Sequence, residues 1–136
     1  MRILTAIVMA AMLASACATS GGEIERSKSD RLLTRYEPYV GEPIDRFTAF
    51  RTDSWQPISR TQLVVWTSIN DAYLLTVDNT CPELNFAQKI GVSSTGSSIS
   101  KFDSVIVRDQ RCRIEQIQPI DVERMKAERT AREAAD

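Results

Sequence analysis

The chain has 136 residues, 43% hydrophobic and 26% charged, with a formal net charge of −1. That is room for one small globular domain, and it excludes chain-wide disorder and the basic excess of a nucleic-acid binder. With no histidine and three cysteines, Ser-His-Asp and Cys-His catalysis, His-ligated metals and four-thiolate zinc or iron–sulfur sites are closed.

Residues 1–16 read as a secretory signal. Arg2 gives the positive start, Ile3 to Ala14 the apolar run, and Ser15-Ala16 the small residues before Cys17. The run falls short of the roughly 20 residues that cross a bilayer as a helix. Leu13-Ala14-Ser15-Ala16-Cys17 resembles the lipobox of bacterial lipoproteins, in which the signal is cut before the cysteine and its sulfur carries diacylglycerol. The match departs at Ala14, where a leucine is usual. Ala14-Ser15-Ala16 also meets the A-x-A rule of ordinary secretion. Both readings cut the same bond and differ in whether Cys17 gains lipid. Cysteine arithmetic favours lipid, because Cys81 and Cys112 then remain as one pair for an oxidising compartment. Resemblance to Gram-negative lipoproteins implies, with Ala18 after the cysteine, passage to the outer membrane.

Cleavage removes Arg2, leaving 16 basic against 18 acidic residues, a net −2. Residues 17–43 are expected to hold the lipidated Cys17, a flexible tether over Ala18–Ser29 and one or two helical turns from Asp30 to Tyr36. Glu37 precedes Pro38, which stops a helix. Leu32, Leu33, Tyr36 and Tyr39 would dock on the domain, or the helix would bind a partner.

Residues 44–121 read as a β domain. Phe47–Arg51 and Trp55–Ile58 are expected strands, the second near an edge because Pro57 lacks a donor. Leu63–Thr67, apolar on both faces, predicts a central strand, with Ala72–Val77 returning after an Asn-Asp turn. Cys81-Pro82-Glu83-Leu84 predicts a turn into a short helix. Lys89–Ser93 is a weaker strand and Ser94–Ser98 a polar turn. Ser104–Arg108 and Cys112–Ile117 are strands, with a bulge near Gln116 because Ile114 and Ile117 break alternation. Asp121 would cap a helix from Val122 toward Ala134, with Glu128 paired to Arg132, fraying beyond Met125. Residues 122–136 are thus a charged helix or tail, solvated or recruiting a partner. The whole predicts a mainly β fold, a small antiparallel roll or barrel with a short helix after the central hairpin and a C-terminal helix.

No motif for a phosphate loop, dinucleotide, calcium or paired-cysteine site occurs, so no cofactor or metal is expected. Asp71, Asp78, Asp103 and Asp109 are the only carboxylates placed for glycosidase-type chemistry, against their common role in turns. Arg108, Arg111 and Arg113 gather at one hairpin, with Lys101 upstream. Such a face suits anionic glycolipid, phospholipid or peptidoglycan, whereas Asp109 and Glu115 between them suit a solvated turn. Trp55, Trp66 and Tyr73 would line a pocket or fill the core.

The series Trp55, Leu63-Val64-Val65-Trp66, Ala72-Tyr73-Leu74-Leu75, Cys81-Pro82-Glu83-Leu84, Phe102-Asp103 and Cys112-Arg113-Ile114 resembles small uncharacterised proteobacterial lipoproteins over residues 40 to 121. The resemblance implies an envelope location and a disulfide-linked fold, and supplies no catalytic residue. The expected protein is therefore a non-enzymatic, lipid-anchored, periplasm-facing binding or scaffolding module. Its expected partners are the membrane, through lipid on Cys17, and an envelope protein or glycan, without nucleic acid. The alternatives are an anionic-ligand binder using the basic hairpin and a carboxylate-based hydrolase.

Overall fold

The computed structural model describes residues 20–94 and 96–136; the segment expected as a signal, residues 1–16, and Cys17 lie outside them. In chain order the elements are α1 (Ser20–Tyr36), a 3-10 turn (Glu37–Tyr39), β1 (Arg46–Thr48), β2 (Ser54–Pro57), β3 (Gln62–Trp66) and β4 (Ala72–Val77). A second 3-10 turn (Leu84–Phe86) follows, then β5 (Gly91–Val92), β6 (Ser98–Ser100), β7 (Ser104–Val107), β8 (Gln110–Ile120) and α2 (Val122–Ala135). The fold is mainly β, as expected. Six strands form one antiparallel sheet in the order β2-β3-β4-β8-β7-β5, curled as a half-barrel, and β1 and β6 pair as a separate ribbon.

The sheet buries both faces. In β3, Leu63 and Val65 point to one side and Val64 to the other, as an apolar run predicts for a central strand. The concave side holds the larger core, with Leu63, Val65, Leu75, Val77, Leu84, Val105, Val107, Ile114 and Ile117. The opposite side carries Ile58, Val64, Ala72, Leu74 and Ile120, covered by Tyr36, Tyr39 and Val122 from the helical ends of the chain. β2 is an edge strand, consistent with Pro57. The half-barrel stays open between β2 and β5, over a hollow of about 530 Å³ lined in part by Trp55, Val92 and Ile99.

β8 is the spine. Its second half pairs with β4, its first half with β7, and single bridges from Ile44 to Ile117 and from Val40 to Ile120 occupy its remaining edge. Gly41 sits on this edge, its N–H donating to the Pro119 carbonyl at 2.8 Å. A Cβ on Gly41 would stand 3.2 Å from Pro119 Cγ, a tight approach that the proline ring would have to yield to by a few tenths of an ångström. The register against β4 runs from Thr76 opposite Gln116 to Val77 opposite Ile114, which leaves Glu115 as the extra residue. The bulge expected near Gln116 is therefore at its neighbour.

Four local expectations change. The tether over Ala18–Ser29 is corrected in its described part, because α1 is continuous from Ser20. Gly21 and Gly22 fall in its first turn, where N–H groups have no intrahelical partner, and Asn85 Nδ2 donates to Glu25 at 2.8 Å to hold that half. The strand expected through Arg51 stops at Thr48, where the chain bends and leaves Phe50 exposed. The stretch expected as a polar turn yields to β6 at Ser98, because buried Ile99 pairs opposite Phe47. Finally, α2 stays helical to Ala135 instead of fraying after Met125.

Deleting Glu115 would run strict alternation from Cys112 to Ile120 and leave Ile117 and Ile120 on their native faces, because Glu115 is the one residue without a partner in the register. That deletion is expected to keep a cooperative melt followed by circular dichroism, whereas deleting Gln118 would turn Ile120 to the concave side and abolish it. Glu115→Ala, at an exposed side chain, should shift stability by no more than about 0.5 kcal/mol.

Candidate functional site

Cys81 and Cys112 form a disulfide, with Cα atoms 5.6 Å apart and 31 residues of sequence separation. Both are fully buried. The bridge joins the loop entering the second 3-10 turn to the first half of β8, and Thr80 Oγ1 donates to the Arg111 carbonyl beside it. Closing a loop of this length stabilises by about 3 to 4 kcal/mol in the chain-entropy model.

The basic hairpin is placed as its spacing implied. Arg111 and Arg113 alternate with buried Cys112 and Ile114, so both point outward from β8 and are exposed. Arg108 sits in the turn between β7 and β8 with φ of 54°, a left-handed conformation that costs a residue with a Cβ roughly 1–2 kcal/mol. Its guanidinium pairs with Glu83 at 3.2 Å. The three arginines thus share a hairpin, but Arg108 is turned toward the Glu83 loop.

A larger basic surface lies on the other side of the sheet, between α1 and α2. It is a groove of about 1050 Å³. Tyr36, Pro38, Tyr39, Trp66 and Met125 give it an apolar floor, and Arg31, Arg35, Lys126, Arg129 and Arg132 line it. The helices supply these cations at matching spacing. On α1, Lys28, Arg31 and Arg35 recur at steps of three and four, beside the buried stripe of Leu32, Leu33 and Tyr36. On α2, Met125, Arg129 and Arg132 follow the same steps.

Polar contacts lock the walls. Asp121 caps α2 by accepting from the Arg124 N–H at 3.0 Å. Tyr39 donates its hydroxyl to Glu128, and Arg124 lies over the Tyr39 ring at 5.0 Å while donating to the Pro38 carbonyl. Lys126 donates to the Ile69 carbonyl at 2.6 Å and to Asn70 at 3.0 Å, tying α2 to the β3–β4 turn. Tyr36 donates to Gln56 at 2.6 Å. These bonds explain why α2 does not fray. They also redirect Glu128, which pairs with Arg124 at 3.8 Å and Tyr39 in place of the expected Arg132. Among the described residues, Arg35, Arg129 and Arg132 make no salt bridge. Asp53, the one carboxylate lining the groove, pairs with Arg51 at 3.1 Å.

The aspartates serve turns. Asp71 accepts from Ser68 at 2.7 Å and Asp78 from Thr80 at 2.5 Å. Asp103 accepts from the Ser100 N–H at 2.8 Å and from the Ser93 hydroxyl at 3.2 Å. Asp109 shares the β7–β8 turn with Arg108. Among the described residues no three acidic or thiol groups gather as a metal site, and no helix is long and apolar enough to cross a membrane. The aromatic residues divide: Tyr73 stacks on Phe47 at 4.0 Å in the concave core, Trp55 packs at the edge of that core, and Trp66 floors the groove.

The family model that matches is "Family of unknown function (DUF6491)", over residues 1–136. The chain belongs to this family. Searches of curated proteins and of solved structures find no match. Membership in DUF6491 assigns no activity, so the two basic surfaces stand on their own chemistry. Sequence reading found the hairpin because its arginines are adjacent along the chain. It missed the groove, whose cations come from both ends of the chain. The legible signal was the helical spacing of Lys28, Arg31 and Arg35, of which the tether reading covered Lys28 and the expected helical turns held Arg31 and Arg35.

Two measurements follow from these contacts. Cys81→Ala with Cys112→Ala should cost about 3 to 4 kcal/mol in denaturant unfolding. Burial pushes the Tyr36 and Tyr73 hydroxyls above the ordinary value of 10.0, and the hydrogen bond to Glu128 does the same for Tyr39. A raised folded-state pKa gives stability that is complete below that ordinary value and lost as pH rises through the folded value. The melting temperature should therefore show no tyrosine-linked change through neutral pH and fall above about pH 10, with a shallower fall in Tyr36→Phe.

Proposed function

We propose that the protein is a non-enzymatic binding module held in the cell envelope by lipid on Cys17 and facing the periplasm, at the outer membrane rather than the inner. The observation that carries this reading is the Cys81–Cys112 bridge. It uses two of the three cysteines in a bond that persists in oxidising compartments. The cysteine left over is the one that ends the lipobox-like Leu13-Ala14-Ser15-Ala16-Cys17. Acylation accounts for that odd thiol, and two or more acyl chains anchor a protein stably. A binding role is supported by the groove, where Arg35, Arg129 and Arg132, without a salt bridge among the described residues, line an apolar floor. The engagement of Asp71, Asp78 and Asp103 in turn bonds favours binding over a carboxylate hydrolase.

The basic hairpin gives a second reading. Arg111 and Arg113 are exposed on one face of β8 and make no salt bridge among the described residues. An anionic glycolipid, phospholipid or peptidoglycan would meet them there.

Intact mass of protein extracted from the membrane fraction tests the anchor, with thiol alkylation before and after reduction. The expected species starts at Cys17, carries acyl mass and takes label at two thiols only after reduction. An unlipidated species with Cys17 labelled before reduction overturns the anchor and makes the protein a secreted one with a free thiol.

A further inference from the structure

We infer that the groove between α1 and α2 is a membrane-docking face that receives the phosphate headgroups of anionic phospholipid at a bilayer surface. This deepens the binding role proposed above and rests on the envelope placement. Three features of the groove lead to it.

The first is charge. The chain is net acidic, yet five cations line this one groove. Arg35, Arg129 and Arg132, which make no salt bridge among the described residues, are all guanidinium groups. A guanidinium presents a planar fork that bonds two phosphate oxygens at once, and it is more weakly hydrated than an ammonium. Two such rows on facing helices suit an array of phosphates.

The second is the apolar component. A site for free phosphate gains nothing from exposed aliphatic side chains, and a sugar polymer would stack on aromatic ring faces rather than on isoleucines. Here Ile69 is 77% exposed on the β3–β4 turn at the groove wall, held in place by the Lys126 bond to its own carbonyl. Ile24 is 67% exposed on α1 and falls on the same helical stripe as Lys28, Arg31 and Arg35. Exposed aliphatic side chains beside arginines are the composition of a face that inserts at the headgroup boundary while its charges hold the phosphates.

The third is position. α1 begins three residues after Cys17. At ~1.5 Å per residue, Arg31 and Arg35 lie roughly 17 and 23 Å along the helix from Ser20, which is three residues past the proposed anchor in sequence. A helix lying on the bilayer brings Ile24, Lys28, Arg31 and Arg35 to the surface together.

The test uses the whole mature chain, residues 17–136, with Cys17→Ser so that no acyl chain contributes. Partition is measured by cosedimentation with vesicles of phosphatidylcholine alone and of equal parts phosphatidylcholine and phosphatidylglycerol. Binding is expected to the mixed vesicles and to weaken with salt. Arg35→Ala, Arg129→Ala and Arg132→Ala together should reduce it ~100-fold, at about fivefold per charge near the surface. Ile69→Ala should reduce it about tenfold through lost apolar burial and keep the salt dependence. That variant, on an exposed turn, decides the matter should the triple variant melt early. Arg111→Ala with Arg113→Ala, at the alternative basic face, should reduce it less than the groove variants do.

Equal binding to neutral vesicles overturns the proposal. So does loss of binding in the hairpin variant and not in the groove variants, which makes the hairpin the site. Displacement by millimolar inorganic phosphate assigns the groove to a soluble anion instead. Retention on isolated peptidoglycan without vesicle binding assigns it to a glycan. The anchor fails separately: vesicle binding by a protein whose native mass lacks lipid overturns the anchor alone, and a lipidated protein whose Cys17→Ser chain ignores vesicles overturns the docking face alone.

Discussion

One extra residue in β8 decides how the molecule is put together. Cys112 and Ile114 point into the concave core by strict alternation, and alternation continued would turn Ile117 outward and Ile120 inward. Glu115 breaks the count, so Ile117 stays in the concave core and Ile120 reaches the opposite face. There Ile120 meets Tyr36, Tyr39 and Val122, the residues that seat both helical ends of the chain. A bulge in one strand thereby gives the sheet two separately assembled cores and supplies the floor on which α1 and α2 lie.

The groove is a by-product of that arrangement. Two helices set on one sheet face leave a trough between them unless their side chains meet, and here arginines occupy the facing positions. Like charges keep such a trough open and hydrated. Structural polar contacts fall elsewhere, on Tyr39, Arg124, Glu128 and Lys126, which fasten the helices to the 3-10 turn and the β3–β4 turn. Neighbouring residues of α2 thus differ in their contacts: Arg124, Lys126 and Glu128 hold the helix, while Arg129 and Arg132 make no salt bridge among the described residues.

Much of the fold was legible because it depends on local pattern. The two-faced run Leu63–Trp66, the return from Ala72 to Val77, the edge position of Pro57, the irregularity near Gln116 and the cap at Asp121 each follow from spacing or backbone chemistry within a few residues. What failed depends on partners distant in sequence. Ser20–Ser29 has the composition of a tether, and Asn85 holds one of its residues from the far side of the central hairpin. Ser98–Ser100 is polar on average, and only Phe47 opposite makes Ile99 part of a strand. The C-terminal segment has a thin apolar stripe, but Tyr39 and the Ile69 carbonyl hold it by polar bonds. The groove was invisible for the same reason, since its walls are about a hundred residues apart.

That separation has a consequence for how the chain acquires its shape. The surface that receives Tyr36 and Tyr39 includes Ile120 and Val122, which a ribosome or a translocation pore delivers almost last. The first-made helix must therefore wait, with Leu32, Leu33 and Tyr36 uncovered, until β8 has found β4 and the last strand has closed the sheet. Seating α1 depends on contacts between the two ends, and such distant contacts form more slowly than local hairpins. During that interval the apolar stripe of α1 is the part of the newborn chain most in need of a chaperone or a membrane surface to rest on.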